Sequence, residues 1–468
     1  MPISSLPPTF RDASFAARNL GVRYIWIDAL CIFQDKDDLS DWNREASLMH
    51  KVYSNSFCNI VAGVNKDSSQ SIFASRDRSS LISPASVARL EKTSFLSNNV
   101  GSLEGHATHE YIVTHRQFWD QVNEAHINTR GWVVQERFMS HRALHFGNQQ
   151  LFWECREMEA CETNPDGLRS KVSAVPFPAH NVDKQPKNRG YPNRYAFWDD
   201  LVEIYSACAL SFPSDKLVAL SGIAKHVAEV FPDDYVAGMW RRRLEYNLLW
   251  YVDVNSESSR YDTYVAPSWS WASIKGKVVA KLLSDRNTDL LYRLDDYKLE
   301  YATSDETGAI LGGWLRLRGS LRRLKLLRRE NGRTRWDTWS MVIDDVEDEW
   351  RKSKRNWNPW MVKLDDPQGS YNEENESGAL YCMPAEDYPS RPGHNFLTLF
   401  LLQVVDSSRG TFRRIGVATG DRGYIGHMLE PGESDWGKSP PSSELDGSGQ
   451  TAIPCAAYND GVYSIFVI

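Results

Sequence analysis

Apolar and polar stretches alternate most clearly between residues 23 and 63. Residues 24–33 are apolar except for Asp28, a pattern typical of a strand buried on both faces of a parallel sheet. The polar, acidic residues 35–41 predict a loop. Residues 59–63 form a second short apolar stretch. Between the loop and this stretch, apolar side chains recur at helical spacing, at Trp42, Ala46, Met49 and Tyr53. The order strand, helix, strand predicts a right-handed βαβ unit.

Similar patterns predict further elements on either side of this unit. Residues 9–20 predict a helix that Pro7 and Pro8 precede and Gly21 ends, in keeping with the preferences of helix termini. Residues 128–139 predict another helix, and residues 142–155 predict a strand or a hairpin around Gly147. A short strand is expected at residues 111–114.

The second half of the chain changes from helical to strand-like patterns. Residues 195–230 are helical in pattern with a break at 212–215, and residues 237–251 predict a further helix rich in Trp and Leu. Strand patterns follow, at residues 314–319, 397–405, 413–419 and 458–468.

With 468 residues, the chain is long enough for two or three domains of ~150 residues each. We predict an α/β domain over residues 1–160 and a linker rich in Pro, Asn and charge over 161–192. A helical segment over 193–260 and a β-rich region over 261–468 follow. Within the last region, residues 430–450 are rich in Gly, Ser and Pro and are predicted to be disordered.

Composition narrows the class of protein. Hydrophobic residues make up 41% and charged residues 25%, as in ordinary globular proteins. The net charge of -7 argues against nucleic acid as a partner, since phosphate contacts need a basic surface. No apolar run is long enough to span a membrane, and the N-terminus lacks a signal peptide pattern. Seven Cys without a C-x-x-C pair predict reduced thiols and a cytoplasmic location.

Three ordered blocks resemble the fungal heterokaryon incompatibility (HET) domain. The first block matches the pattern LG-x-x-Y-x-W-I-D, C-I-x-Q-D and M-x-x-x-Y at Leu20, Gly21, Tyr24, Trp26, Ile27, Asp28, Cys31, Ile32, Gln34, Asp35, Met49 and Tyr53. The second block is residues 130–155, which begin R-G-W-V-V-Q-E and end W-E-C. The third block is the tract A-P-S-W-S-W-A-S at residues 266–273.

The resemblance implies a TIR-like, flavodoxin-type α/β domain with three layers. In the HET pattern another strand, carrying S-Y-x-W-G, comes before the first helix, whereas this chain has M-P-I-S-S-L-P-P-T-F in that place. We therefore expect the domain to be N-terminally incomplete. In a doubly wound sheet, loss of a central strand exposes two strand edges and part of any ligand pocket.

Glu136 is the candidate catalytic residue. Trp132 lies four residues before it, so both share one helix face. HET domains are regarded as distant relatives of TIR domains, and this W-x-x-x-E resembles the TIR catalytic helix, whose glutamate contacts the ribose of NAD. The resemblance thus implies NAD as a substrate, with a carboxylate stabilising an oxocarbenium-like centre. The alternative is a surface glutamate paired with Arg130 or Arg137.

The other candidate residues are binding or supporting ones. Asp28 interrupts an apolar run, so it is expected to be buried and hydrogen-bonded, either beside a cleft or capping a loop. Arg130 and Arg142 could each bind a phosphate, or pair with Glu136 or Glu154. We predict no metal site, because His141 and His145 are four residues apart without an H-E-x-x-H pattern. Residues 432–439 spell a P-loop pattern, but two prolines follow at once and argue against one.

The expected function is non-self recognition and cell-death signalling in fungi, as the resemblance implies. Whether the domain is an NAD-cleaving enzyme stays open, since a fold alone does not establish an activity. The alternatives are a non-enzymatic module that acts through a protein partner or self-assembly, and an inactive truncated paralogue. No firm cofactor is predicted.

Overall fold

A computed structural model describes most of the chain in two compact units. The units comprise Met1–Leu39 with Val52–His180, and Ser40–Lys51 with Asn181–Ile468. The described residues are 2–33, 35, 37–38, 40–76, 86–90, 109–113, 121–167, 195–230, 232–280, 289–329, 338–344, 360–369, 371, 378–391, 394–421 and 453–468. The segment 430–450, the P-loop-like residues 432–439 and residues 168–192 of the predicted linker lie outside them.

The N-terminal part of the chain contains helices and short strands close to the predicted ones. Its helices are α1 (Pro8–Asn19), α2 (Asp28–Cys31), α3 (Ser40–Asn55) and α4 (Gly131–Met139), with 3-10 turns at Ile3–Ser5 and His126–Thr129. Its strands are β1 (Asn59–Val61), β2 (Ser86–Leu90), β3 (His109–Val113), β4 (Arg142–Phe146), β5 (Leu151–Cys155) and β6 (Glu159–Cys161). The helices predicted at 9–20, 42–53 and 128–139 are thus confirmed, as are the strands at 59–63 and 111–114.

The strand predicted at residues 24–33 is wrong. Residues 24–27 belong to no strand, and Asp28 begins the short helix α2. Tyr24 and Phe33 are 81% and 79% exposed, so the apolar run does not enter a sheet. The Asp28 carboxylate accepts a hydrogen bond of 2.7 Å from the Ala29 amide. A carboxylate in the first turn of a helix also interacts favourably with the helix dipole. This interaction is a physical reason for the helix to begin at Asp28.

One four-stranded sheet holds this unit together, in the order β1-β4-β5-β6. Strand β1 pairs parallel with β4, whereas the β4–β5 and β5–β6 pairs are antiparallel. The predicted hairpin at 142–155 is therefore confirmed. A side chain at Gly147 would lie 2.6 Å from the ring of Phe152, which explains the glycine at this turn. Strands β2 and β3 form a separate antiparallel pair.

The second unit combines helices with many strands. Its helices are α5 (Ala196–Ser206), α6 (Asp215–Val230) and α7 (Leu244–Asn247), with 3-10 turns at Arg241–Arg243 and Trp271–Ser273. Its strands are β7 (Tyr235–Val236), β8 (Met239–Trp240), β9 (Tyr251–Val252), β10 (Ser259–Arg260), β11 (Ile274–Lys275), β12 (Val278–Val279), β13 (Asp289–Leu290), β14 (Arg293–Tyr301), β15 (Ile310–Gly319), β16 (Arg322–Arg328), β17 (Trp339–Ile343), β18 (Trp360–Leu364), β19 (Leu380–Arg391), β20 (His394–Asp406), β21 (Thr411–Asp421), β22 (Ala457–Asn459) and β23 (Val462–Val467).

The continuous helix predicted at residues 237–251 is wrong, because a tight turn interrupts it. Gly238 joins β7 to β8 with φ +93°, and a side chain there would lie 2.7 Å from Nε1 of Trp271. Positive φ is costly for residues other than glycine and incompatible with a helix. The Gly238 carbonyl instead accepts hydrogen bonds of 2.9 Å from the indoles of Trp198 and Trp271. Two tryptophans from outside this stretch therefore bond to the turn at Gly238.

The β-rich C-terminal region is confirmed. An eleven-stranded sheet has the path β14-β15-β23-β21-β20-β19-β16-β17, with β13, β18 and β22 paired beside it. All four strands predicted in this region are present within it. Arg414 on β21 is fully buried, with its guanidinium carbon 3.4 Å from the ring centre of Trp250. One guanidinium nitrogen lies 3.3 Å from the Asp365 carboxylate, which also pairs with Arg260.

Candidate functional site

A cavity of about 820 Å³ lies in the first unit. A volume of this size falls in the range of small-molecule sites. Its wall combines acidic, basic and aromatic side chains. The lining residues are Thr9, Phe10, Ala13, Ala17, Leu20, Val22, Tyr24, Ile25, Trp26, Ile27, Asp28, Ala29, Val52, Tyr53, Ser56, Phe57, Cys58, Asn59, Ile60, Ala62, Asn65, Lys66, Asp67, Ser68, His126, Ile127, Arg130 and Glu136.

Glu136 projects into this cavity from helix α4. Burial is the main influence that raises the pKa of its carboxyl group to about 7, and the neighbouring Asp28 carboxylate acts in the same direction. The hydrogen bond with Tyr53 and the charge of Arg130 oppose this shift in the pKa of Glu136. A carboxyl group with such a pKa exchanges its proton near neutral pH, as acid–base chemistry requires.

Tyr53 links Glu136 to the aromatic wall. Its hydroxyl shares a hydrogen bond with Glu136, and burial raises the pKa of that hydroxyl well above its ordinary value. The ring packs edge-to-face against Trp26, with the ring centres 5.9 Å apart. Sequence reasoning placed Tyr53 on a helix face but did not assign it to the site. The M-x-x-x-Y pattern was the signal that could have found it.

Asp28 lies on the cavity wall, half-buried. The prediction that it lies within a buried strand is wrong, because it is the first residue of helix α2. It is nevertheless close enough to Glu136 to raise the pKa of that residue. The structure thus brings two carboxylates and Arg130 to one cavity.

The other two candidates lie outside the cavity wall. Trp132 shares helix α4 with Glu136 but is not a lining residue. Arg142 donates a hydrogen bond of 3.3 Å to the carbonyl of Phe57, and its guanidinium lies 5.7 Å from the centre of that ring. Since Phe57 lines the cavity, Arg142 contacts a residue of the wall without lining the cavity itself.

A buried polar cluster fixes the orientation of helix α4. Arg137 donates two hydrogen bonds of 2.9 Å to the carboxylate of Glu154 on β5, and a third, of 2.8 Å, to Asn123. Nε2 of His145 lies 2.9 Å from Glu154, and burial lowers the pKa of this imidazole. The pairing of Glu154 expected with Arg130 or Arg142 is thus made by Arg137. Because consecutive residues of an α-helix point about 100° apart, Glu136 lies on a different face of α4 from Arg137, and it lines the cavity.

The described part of the chain contains no group of three or more His, Cys, Asp or Glu side chains arranged to hold a metal ion. His145 is accounted for by its contact with Glu154. In the same part of the chain, no helix has the length and apolar character needed to cross a membrane. None of the seven cysteines, all of which lie in the described ranges, forms a disulfide bond.

The first unit is a mixed α/β domain whose cavity has acidic, basic and aromatic side chains on its wall. The resemblance found in the sequence is confirmed for this part of the chain: residues 1–136 match the family model described as Heterokaryon incompatibility protein (HET). Every residue that lines the cavity falls within this range, and Glu136 is its last residue. Neither a curated protein nor a solved structure matches the chain.

Proposed function

We propose that this protein acts in fungal heterokaryon incompatibility, as a non-self recognition protein that triggers cell death from the cytoplasm. The observation that carries the proposal is that the cavity and the family match occupy the same residues, 1–136. A shared ligand site is a reason for a family to have a common sequence pattern. The odd number of cysteines, seven, without a C-x-x-C pair favours a reducing compartment.

The activity that the cavity supports best is hydrolysis of the bond between ribose and nicotinamide in NAD. In this reaction water attacks the anomeric carbon of ribose while the glycosidic bond breaks. The bond electrons neutralise the pyridinium ring, so nicotinamide leaves without a proton. Glu136 in its ionised form accepts the proton from water and stabilises the oxocarbenium-like centre. Arg130 and Lys66 on the cavity wall are suited to the phosphates.

The TIR-like, flavodoxin-type relationship belongs to the same proposal. It is supported by the parallel pairing of β1 with β4 and by the position of Glu136 on helix α4. The activity itself is tested by release of nicotinamide from NAD, with the full chain compared to Glu136→Gln. Glu124→Gln serves as the matched control, because Glu124 is exposed and does not line the cavity.

The expected result is nicotinamide release that Glu136→Gln lowers at least about 10²-fold and Glu124→Gln leaves unchanged. Because the ionised carboxylate acts as the base, the rate should rise with pH through about 7, the pKa of Glu136, and then level off. Release that survives Glu136→Gln would contradict the catalytic assignment. No release from the folded full chain would contradict hydrolysis.

A second candidate function is assembly with a protein partner or with copies of this chain. Exposed apolar side chains are concentrated in residues 24–33 and favour it, since an interaction site is marked by several such side chains together and not by single ones. They are Tyr24, Ile25, Leu30 and Phe33. Light scattering of the full chain, with and without NAD, tests it. A monomer under both conditions, and in Tyr24→Ser and Phe33→Ser alike, would argue against self-assembly.

A further inference from the structure

The cavity wall carries charge of both signs. Asp28 and Glu136 both line the cavity, and Asp28 is close enough to disfavour ionisation of Glu136, while Arg130 and Lys66 supply positive charge on the same wall. Two neighbouring carboxylates create a negative potential that a bound cation relieves. The complementary ligand is therefore one with a cationic group and an anionic group in the same molecule.

The aromatic side chains near the two acids indicate which shape of cationic group would fit the cavity. Trp26 and Tyr53 meet edge-to-face with ring centres 5.9 Å apart, and both line the cavity together with Asp28. Aromatic rings attract cations over their faces and stack against flat rings. A flat, positively charged ring meets both requirements, whereas a compact ammonium ion meets only one of them.

We infer that the cavity selects nucleotides whose base is a cationic pyridinium ring, and that Asp28 is the residue that recognises the positive charge. This inference rests on the proposed NAD site and adds a selectivity to it. Oxidised NAD carries the pyridinium ring, whereas its reduced form has an uncharged ring of nearly the same size. The two forms share their ribose and phosphate groups. The difference between their affinities therefore reports how the protein recognises the nicotinamide ring, and chiefly the charge of that ring.

The substitution Asp28→Asn isolates the charge on the protein side. The Asp28 side chain accepts a hydrogen bond from the Ala29 amide, and the carbonyl oxygen of asparagine can accept the same bond. The local helix α2 is therefore expected to be retained while the negative charge is lost. Asp37→Asn is the matched control, because Asp37 is exposed on the acidic loop and does not line the cavity.

The test is calorimetry of the full chain with the carbocyclic analogue of NAD, which lacks the ribose ring oxygen and resists hydrolysis. The oxidised analogue should bind about tenfold more tightly than the reduced one, the equivalent of about 1.4 kcal/mol. Asp28→Asn should cut this preference to about twofold by weakening only the oxidised form, and Asp37→Asn should keep it.

Three outcomes would overturn the inference: equal binding of both analogues to the unsubstituted protein, equal weakening of both by Asp28→Asn, or binding of neither. Because the analogue is not cleaved, the result is independent of catalysis. A protein that prefers the oxidised analogue but releases no nicotinamide from NAD supports the inference and contradicts only the proposed hydrolysis.

Discussion

Burial of Glu136 in the cavity lowers the stability of the folded protein at neutral pH. Its pKa of about 7, raised first by burial and then by Asp28, compares with 4.5 for an unperturbed glutamate. Between these pH values the folded state therefore binds more protons than the unfolded state. By linkage, the contribution of Glu136 to stability is lost as pH rises from about 4.5 to 7.

The first prediction follows from this linkage. Glu136→Gln removes the ionisable group while keeping a hydrogen-bond partner for Tyr53, so the variant should be more stable than the unsubstituted protein at pH 8. The gain should be at most about 3 kcal/mol, from 1.36 kcal/mol per pKa unit, and should nearly vanish at pH 4.5. Urea unfolding at both pH values measures it. An equal difference at the two pH values would contradict the linkage.

Sequence reasoning found Glu136, Asp28 and Arg130 but not how they meet. Asp28 interrupts an apolar run, whereas Glu136 and Arg130 belong to the block at residues 130–155 that resembles the HET domain. Both kinds of signal are visible in the sequence alone. Tyr53 obeys its pattern, because an aromatic residue on an apolar helix face is expected. Its hydrogen bond with Glu136 depends on the pairing of distant segments, which periodicity does not encode.

At the scale of helices and strands, hydrophobic periodicity predicted the structure correctly where a helix or hairpin had a clear apolar face. Helices α1, α3 and α4 and the β4–β5 hairpin lie close to their predicted bounds. The strand prediction at residues 24–33 failed because a short run that is apolar except for Asp28 carries no period that separates a buried strand from other structures. The helix prediction at residues 237–251 failed because Gly238 has a positive φ, which interrupts a sequence pattern that otherwise suits a helix.

The second prediction concerns the cluster that orients helix α4. Glu154→Gln removes the carboxylate charge that accepts two hydrogen bonds from the buried guanidinium of Arg137, which should destabilise the protein by about 3–5 kcal/mol. Glu157→Gln, at an exposed position two residues beyond β5, should change stability by less than about 0.5 kcal/mol. Urea unfolding at pH 7 compares the two. Similar small effects of both substitutions would show that Arg137 does not depend on Glu154.

At the scale of the whole molecule, the second unit contains a buried ion pair between Arg414 and Asp365. Arg414 is 0% exposed, and besides its contact with Asp365 it donates a hydrogen bond to the carbonyl of Trp250. A buried ion pair contributes little net stability compared with an apolar pair, but loss of one partner leaves a buried charge with less compensation. The region around β21 is therefore expected to be sensitive to substitution at this position.

The third prediction tests that sensitivity. Arg414→Met should destabilise the second unit by about 3 kcal/mol or more, since Asp365 then loses one of the two cations that pair with it in the described part of the chain. Arg409→Met is the matched control, because the Arg409 side chain is 82% exposed and its nearest contact with Asp406 is 3.8 Å. It should cost less than about 1 kcal/mol. Thermal unfolding followed by tryptophan fluorescence makes the comparison, and equal midpoints for the two variants would contradict it.

Cys58 on the cavity wall offers a chemical reporter for the site. Burial raises the pKa of its thiol, so little reactive thiolate exists at neutral pH and alkylation should be slow. Cys31, which is exposed and does not line the cavity, provides an internal reference in the same molecule. Any compound that occupies the cavity should shield Cys58 from iodoacetamide without slowing the labelling of Cys31. Mass spectrometry of labelled peptides could then screen extracts for the natural ligand by footprinting, before any activity has been measured.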